Sequence, residues 1–134
     1  MQRAVMTIRF GILTLSDRSS RGEREDASGP ALAQLIRAQN WSIAREKILP
    51  DEESAIRATL TEWADSGEMD VILTTGSTGF SARDVAPEAT RAVIQRGAPG
   101  LAETMRAESL KKTPHAMLSR AIAGIRGRTL IINL

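Results

Sequence analysis

The amino-acid sequence predicts a three-layer α/β domain, in which a mostly parallel sheet carries helices on both faces. Segments 7–15, 70–75 and 129–134 are apolar and β-branched almost without interruption, which is typical of strands buried on both sides. A fourth segment, 41–49, alternates apolar and polar side chains as a half-exposed strand does. Helical patterns separate these strands, and strands joined through helices indicate parallel pairing.

The first two helices are predicted from their start signals. Pro30 suits the first helical position after a long polar loop at 16–29, and Asp51 suits the cap of a helix that extends to Gly67. Their inward faces are assigned to apolar side chains at helical spacing: Leu32, Leu35 and Ile36, then Ile56, Leu60 and Trp63.

Prolines and glycines mark the later elements. The sequence predicts helices at 87–97 and 99–110 and a short helix at 115–123, followed by a turn at Gly127. The inward side chains of the first of these helices are predicted to be Ala89, Val93 and Ile94.

Length and composition indicate a single domain, residues 1–134, with a hydrophobic core of its own. No apolar run approaches the ~20 residues of a membrane span, and the first residues lack the apolar segment of a secretory signal. Because the chain contains no cysteine, thiolate nucleophiles and Cys-ligated metals are excluded, and a reducing cytoplasm is compatible. We therefore expect a soluble, cytoplasmic protein.

Composition also argues against two further classes of function. His115, the only histidine, has no serine partner at a recognisable spacing, so we interpret it as structural and exclude triad hydrolysis and His-rich metal sites. The net charge is only +2, and two Phe and two Trp offer no aromatic platform for bases. No nucleic-acid partner is therefore expected.

Polar, glycine-marked loops follow two of the buried strands, at 16–29 and 76–85. Ligands of open parallel sheets bind beyond the carboxyl ends of the strands, so these loops are the predicted site. Ser16 and Asp17 directly follow the first strand, which should hold their side chains rigidly. Asp51 follows the half-exposed strand and is expected at the same end of the sheet.

The sequence TTGSTGFSARD, at 74–84, is typical of a loop that holds an anion. Gly76 and Gly79 let the main chain approach a ligand closely, and their amides can form a concave anion site. Ser77 and Thr78 add hydroxyl donors. The glycine spacing matches neither a P-loop nor the dinucleotide fingerprint. The alternative interpretation is a plain strand-to-helix turn with solvated hydroxyls.

Two aspartates are candidates for holding a cation at this edge. A carboxylate beside a phosphate-binding loop, such as Asp84, is repulsive unless a cation intervenes, and Mg²⁺ bound by carboxylates and substrate phosphates is the usual mediator. Asp51 is the second candidate ligand. The alternatives are that Asp84 pairs with Arg83 or caps the helix near Pro87, and that Asp51 is only a helix cap.

Five segments of the chain, taken together and in order, resemble the molybdopterin adenylyltransferase family. These segments are GILTLSDRSSRGEREDASGP, ILPDEESAI, VILTTGSTGFSARDVAPEAT, MRAESL and HAMLSRAIAGIRGRTLIINL. The family includes the bacterial enzyme of molybdenum cofactor biosynthesis and the G domains of plant and animal homologues such as gephyrin.

This resemblance implies a fold of the molybdenum-cofactor-biosynthesis-protein type that assembles as a homotrimer. It implies a cytoplasmic transferase that binds ATP and molybdopterin and uses magnesium to transfer AMP to the terminal phosphate of molybdopterin, with release of pyrophosphate. A hand-over of the product to the molybdenum insertion enzyme is also implied. The alternative is a non-catalytic molybdopterin-binding module or trimeric scaffold of the same fold.

The resemblance also implies roles for individual residues. Asp51 and Asp84 match the essential carboxylates of the family, and are the implied catalytic residues and Mg²⁺ ligands. The implied substrate-binding positions lie in the first strand end, the glycine loop and two later motifs: Ser16, Asp17, Gly76, Ser77, Thr78, Gly79, Ser109, Ser119 and Arg120. The last three of these are associated with the pterin pocket.

Two departures from the family pattern stand out. Ser77 occupies the position of a second glycine, and a positive φ there would cost about 1 kcal/mol or more. The sequence stops at Asn133 and Leu134, where the family pattern continues into a further loop and helical segment. The single molybdopterin-binding domain is therefore expected to lack the C-terminal segment of that pattern.

Overall fold

A computed structural model describes residues 6–134, which form six strands, five α-helices and one short 3₁₀ helix. In chain order the elements are β1 (Arg9–Leu15), α1 (Asp17–Ser20), α2 (Ser28–Ala38), β2 (Ser42–Leu49), α3 (Glu53–Asp65), β3 (Val71–Thr75), α4 (Ala86–Val93), β4 (Arg96–Gly97), α5 (Pro99–Leu110), the 3₁₀ helix (Pro114–Leu118), β5 (Ala123–Arg126) and β6 (Thr129–Asn133). None of the helices within 6–134 is long and apolar enough to cross a membrane.

The strands form one sheet in the order β2-β1-β3-β6-β5-β4. The first four are parallel, and β5 and β4 are antiparallel to their neighbours. The carboxyl ends of β2, β1 and β3 consequently meet at one edge of the sheet. The predicted three-layer, mostly parallel architecture is confirmed.

Helices cover both faces of this sheet, and each face has its own hydrophobic cluster. On one face, α3 and α4 pack their apolar stripes against β1, β3 and β6, and the predicted inward residues Ile56, Leu60 and Trp63 are all buried. On the other face, α2 packs against Phe10 and Ile12 of β1. The two clusters hold the strand ends, and hence the loops that follow them, in fixed positions.

The predicted face of α2 is partly wrong. The helix begins at Ser28, two residues before Pro30, and its buried residues are Gly29, Ala33 and Ile36. These buried residues are four and three positions apart, so they form one face of the helix, and Leu35 lies outside that face. Leu35 is therefore 66% exposed. The preceding segment is also not a loop throughout, since α1 forms within it.

Three predicted helix boundaries are also wrong. Asp51 does not cap α3, which begins at Glu53 after Glu52, and the helix ends at Asp65. The helix after Pro87 ends at Val93, because the chain then turns into β4 and pairs with β5. Gly124 permits this pairing, since a Cβ there would lie 2.8 Å from the carbonyl oxygen of Arg96.

The last predicted helix is likewise shorter than expected. Only Pro114–Leu118 is helical, and residues 123–126 form β5, which makes a hairpin with β6. The predicted turn at Gly127 is present, with φ of +58°. The helix from Pro99 to Leu110 is confirmed.

Candidate functional site

The loops after β1, β2 and β3 enclose a cavity of about 370 Å³ at the carboxyl edge of the sheet. Among its lining residues are five that the sequence predicted for the site: Ser16, Asp51, Gly76, Ser77 and Asp84. The loops therefore converge as the parallel topology requires. Arg24 and Asp26, which the sequence analysis did not assign to the site, line the same cavity.

Asp17 and Asp51 join the loops after β1 and β2 through a reciprocal pair of hydrogen bonds. The main-chain N–H of Asp17 donates to Oδ2 of Asp51 at 2.9 Å, and the N–H of Asp51 donates to Oδ1 of Asp17 at 2.9 Å. Ser16 supports the turn, because its Oγ accepts from the N–H of Ser19 and caps α1. Asp51 therefore connects the loops after β1 and β2 and does not cap α3.

Arg83 adds the loop after β3 to this arrangement. Its Nε and Nη2 donate to the two carboxylate oxygens of Asp17 at 2.9 and 2.8 Å. These bonds, followed by the one from the Asp51 main chain, lower the pKa of Asp17 to about 2. The alternative in which Arg83 pairs with Asp84 is wrong, because its guanidinium is bound to Asp17.

The carboxylate of Asp84 is held by its own loop. Oδ2 of Asp84 accepts from the main-chain N–H of Ser81 at 3.0 Å. Gly79 lies so close that a Cβ there would be 2.8 Å from that oxygen. Asp84 does not cap α4, whose start has no side-chain cap. Within 6–134, Oδ1 of Asp84 and Oδ1 of Asp51 accept no hydrogen bond, so each aspartate keeps one carboxylate oxygen for a ligand.

Within the described part of the chain, no three His, Cys, Asp or Glu residues form a group that could hold a metal ion by themselves. A divalent cation at Asp51 and Asp84 would therefore take its remaining ligands from phosphate oxygens or water. That is the usual coordination of Mg²⁺, which keeps several waters and takes one or two carboxylates together with substrate phosphates.

The glycine loop, residues 76–79, begins with two residues in the left-handed conformation. Gly76 has φ of +94°, and a Cβ there would lie 2.4 Å from the carbonyl oxygen of Leu15, so only glycine fits. Ser77 has φ of +62°. Its hydroxyl accepts from the N–H of Val85 at 2.9 Å and donates to the carbonyl oxygen of Arg83 at 3.3 Å. The Ser77 hydroxyl therefore closes the loop on itself.

Asp26 fixes the segment between α1 and α2, which the sequence predicted to be part of a long polar loop. Its two carboxylate oxygens accept from Oγ1 of Thr14 at 2.9 Å and from the N–H of Gly29 at 3.0 Å. In the sequence, Asp26 lies three positions before Gly29, near the start of a helix, and a side chain that caps a helix has this spacing. This spacing could have identified Asp26.

A second cavity, of about 570 Å³, lies between α5, the 3₁₀ helix and the end of β6. Three predicted substrate-binding residues line it: Thr78 of the glycine loop, and Ser109 and Ser119, which the resemblance associated with the pterin pocket. Apolar groups of Ala102, Met105 and Leu134 make up much of the remaining wall. Because Gly76 and Ser77 face the first cavity and Thr78 the second, the glycine loop separates the two.

Comparison with known proteins places this arrangement in a family. Residues 11–134 match the family described as "Probable molybdopterin binding domain". The chain belongs to this family. The resemblance noted in the sequence is thereby confirmed over nearly all of the chain.

Individual members of the molybdopterin-binding family agree with this assignment. The chain is 43% identical over 132 residues to a protein of Helicobacter pylori J99 named molybdopterin adenylyltransferase, a match that covers 97% of this chain and 75% of the relative. It is 46% identical over 130 residues to the molybdenum cofactor synthesis protein cinnamon of Drosophila melanogaster, covering 96% of this chain but only 22% of that protein. The crystal structure of a Thermus thermophilus molybdopterin biosynthesis enzyme, MoaB, is 48% identical and superimposes with a TM-score of 0.89, covering 96% of this chain and 80% of that one.

Three of the predicted site residues line neither cavity: Asp17, Gly79 and Arg120. Asp17 is bound by Arg83 and Asp51, as described above. Arg120 lies behind the glycine loop, where its Nε donates to the carbonyl oxygen of Gly79 at 2.8 Å. His115, which the sequence analysis set aside as structural, is exposed at the start of the 3₁₀ helix.

Proposed function

We propose that the chain is a molybdopterin adenylyltransferase, which transfers AMP from Mg-ATP to the terminal phosphate of molybdopterin. One observation carries the proposal: Asp51 and Asp84 face one cavity, while Thr78 of the same glycine loop faces a second, more apolar one. The two proposed substrates differ in the same property, polarity, because a triphosphate is highly charged and a pterin is a flat ring system. The name of the Helicobacter pylori relative supports the assignment.

In this proposal Asp51 and Asp84 would hold Mg²⁺ through the carboxylate oxygens that have no hydrogen-bond donor within 6–134. The ion, when bound, neutralises phosphate charge at the reacting centre. Arg24 lines the same cavity and supplies a further positive charge to the phosphates. Main-chain amides of the glycine loop hold the acceptor phosphate, because their left-handed geometry makes a concave set of donors.

The reaction forms one bond and breaks one. An oxygen of the terminal phosphate of molybdopterin attacks the α-phosphorus of ATP, and the bond from that phosphorus to the bridging oxygen of the β-phosphate breaks. Pyrophosphate leaves with the electron pair. Such transfers depend on positioning and charge neutralisation rather than on an acid–base group, which agrees with a chain whose only histidine is exposed and lines neither cavity.

We further propose that the protein works in the cytoplasm as a homotrimer and passes its adenylylated product to the enzyme that inserts molybdenum. Family membership supports these three points, and the absence of cysteine agrees with a reducing compartment.

The function is tested by pyrophosphate release from Mg-ATP with and without added molybdopterin. We expect release that requires both substrates, and its loss in the Asp84→Asn variant, because the amide lacks the charge that holds the cation. Molybdopterin binding, measured by titration, should survive in that variant. The matched control is Asp65→Asn, which removes a carboxylate bound by Arg126 at the opposite end of the strands.

Two results would count against the proposal. Equal turnover by wild type and Asp84→Asn removes Asp84 from the chemistry. Tight molybdopterin binding by a wild-type protein that releases no pyrophosphate identifies the non-catalytic binding module instead.

A further inference from the structure

We propose that Arg120 and Glu88 are positioning residues that clamp the glycine loop and the main chain of Asp84 from behind, and that Arg120 does not bind substrate. We call this pair the Arg120–Glu88 clamp. Its consequence for turnover rests on the proposed function, but the clamp itself is a property of the folded chain.

The guanidinium of Arg120 is directed at main-chain oxygens of the loop. Its Nε donates to the carbonyl oxygen of Gly79 at 2.8 Å, and its Nη2 donates to the carbonyl oxygen of Asp84 at 2.7 Å. In addition, the main-chain N–H of Arg120 donates to the carbonyl oxygen of Thr78 at 2.8 Å. One residue therefore holds both ends of the segment that separates the two cavities.

Glu88 fixes the orientation of that guanidinium. Nη1 and Nη2 of Arg120 donate to its two carboxylate oxygens at 2.7 and 3.1 Å. The bonds from Arg120 lower the pKa of Glu88 and those from Glu88 raise the pKa of Arg120, so the pair is charged at neutral pH. Glu88 itself is fixed, because it lies in the first turn of α4, where the helix dipole favours a carboxylate.

This arrangement leaves Arg120 little capacity for a ligand. Four of the five N–H groups of a guanidinium are used by Gly79, Asp84 and Glu88. A lysine could not reproduce the contacts, because its ammonium lacks the planar fork that reaches two carbonyls and a carboxylate together. Arg120 is half-buried and faces the back of the loop, whereas Thr78 and Ser119 line the apolar cavity.

The clamp matters for chemistry because the loop carries groups for both substrates. Asp84 lines the first cavity, and the main-chain amides of the glycine loop lie between the first cavity and the second. A displacement of about 1 Å at a reacting centre can cost roughly 100-fold in rate. Loosening the loop should therefore lower kcat more than it weakens binding.

The test uses the full chain and two variants, Glu88→Gln and Arg120→Lys, with Asp65→Asn as control. The control also disrupts a two-bond Arg–carboxylate pair, at the far end of the sheet. Hydrogen–deuterium exchange of residues 76–85 is measured in ligand-free protein, with the amides of β3 as a folding reference. We expect loop exchange about fivefold faster or more in both variants, with β3 unchanged, and no loop effect in the control.

Steady-state kinetics of pyrophosphate release then separate positioning from direct binding. We expect kcat to fall about tenfold or more in both clamp variants while the KM for molybdopterin changes less than about threefold. A higher KM for molybdopterin at unchanged kcat would show that Arg120 binds substrate, and would overturn the proposal. So would an unchanged exchange rate in the loop, or a loosened loop with unchanged kcat. A wild-type protein without activity would defeat the proposed function, and the exchange rates would still decide whether the clamp exists.

Discussion

Replacing Ser77 tests how the loop tolerates a side chain at a left-handed position. Ser77 has φ of +62°, a conformation that costs a non-glycine residue roughly 1–2 kcal/mol. Its hydroxyl bonds to Val85 and Arg83, and a net hydrogen bond in a half-buried position contributes about 1 kcal/mol. The two effects nearly cancel, which explains why serine is accepted where the family pattern has glycine.

Two substitutions separate these contributions. Ser77→Ala loses the hydrogen bonds and keeps the strained backbone, so we expect a loss of about 1–2 kcal/mol in the free energy of unfolding. Ser77→Gly loses the same bonds but removes the strain, at the cost of a more flexible unfolded chain, so it should be more stable than Ser77→Ala by about 1 kcal/mol. For 134 residues this gap corresponds to about 3–4 °C in Tm.

Urea unfolding followed by tryptophan fluorescence is suited to the measurement, because Trp63 is buried in the core and should report global unfolding. All variants are compared at one protein concentration, which removes any contribution from association. An alanine variant as stable as the glycine variant would refute the left-handed strain. Two variants as stable as wild type would refute the hydrogen bonds.

Two further predictions concern the loop junction and the core. The depressed pKa of Asp17, about 2 against an ordinary 3.8, means that its ion pair stabilises the fold above about pH 4 and that this contribution is lost as the pH falls towards 2. Asp17→Asn should therefore lower the urea midpoint at pH 5 more than at pH 2.5, and equal effects at both values would contradict the ion pair. Asn133 is fully buried and donates from Nδ2 to the hydroxyls of Thr74 and Thr90, both at 2.9 Å. Asn133→Ala should cost about 2–4 kcal/mol in the same assay, because it leaves several buried polar groups unpaired, and a loss below about 1 kcal/mol would contradict that role.

The sequence predicted the sheet edge well because local signals and topology agree there. Segments 7–15 and 70–75 could only be buried strands, and parallel pairing brings their carboxyl ends together whatever the details of the helices. The convergence of Ser16, Asp51 and Asp84 on one cavity follows from this pairing together with the parallel pairing of β2, which brings Asp51 to the same edge. By contrast, β4 has two residues and β5 four, which is too short for any periodicity to be read.

The partners of charged side chains could not be predicted from local pattern. Arg83 is adjacent to Asp84 in sequence, yet it binds Asp17, 66 residues away. Arg120, a substrate-binding position by resemblance, donates hydrogen bonds to Gly79 and Glu88, which no local pattern indicated. In both cases the topology of the sheet determines which segments lie next to each other. The long arginine side chain then donates to acceptors on the neighbouring segment.

The hydrogen bonds that Asp51 and Asp84 accept agree with the cation site proposed for these two carboxylates. Asp51 and Asp84 each receive a main-chain N–H on Oδ2, which fixes the carboxylate while leaving Oδ1 without a donor within residues 6–134. Arg83, the neighbour of Asp84 in sequence, donates its side-chain hydrogen bonds to Asp17 instead, so Oδ1 of Asp51 and Oδ1 of Asp84 receive none from it. Such carboxylates would need little rearrangement to hold a divalent cation, whose charge would offset that of a bound phosphate. Magnesium affinity should therefore depend on the presence of nucleotide, and an ion that binds equally well to the protein alone would contradict this reasoning.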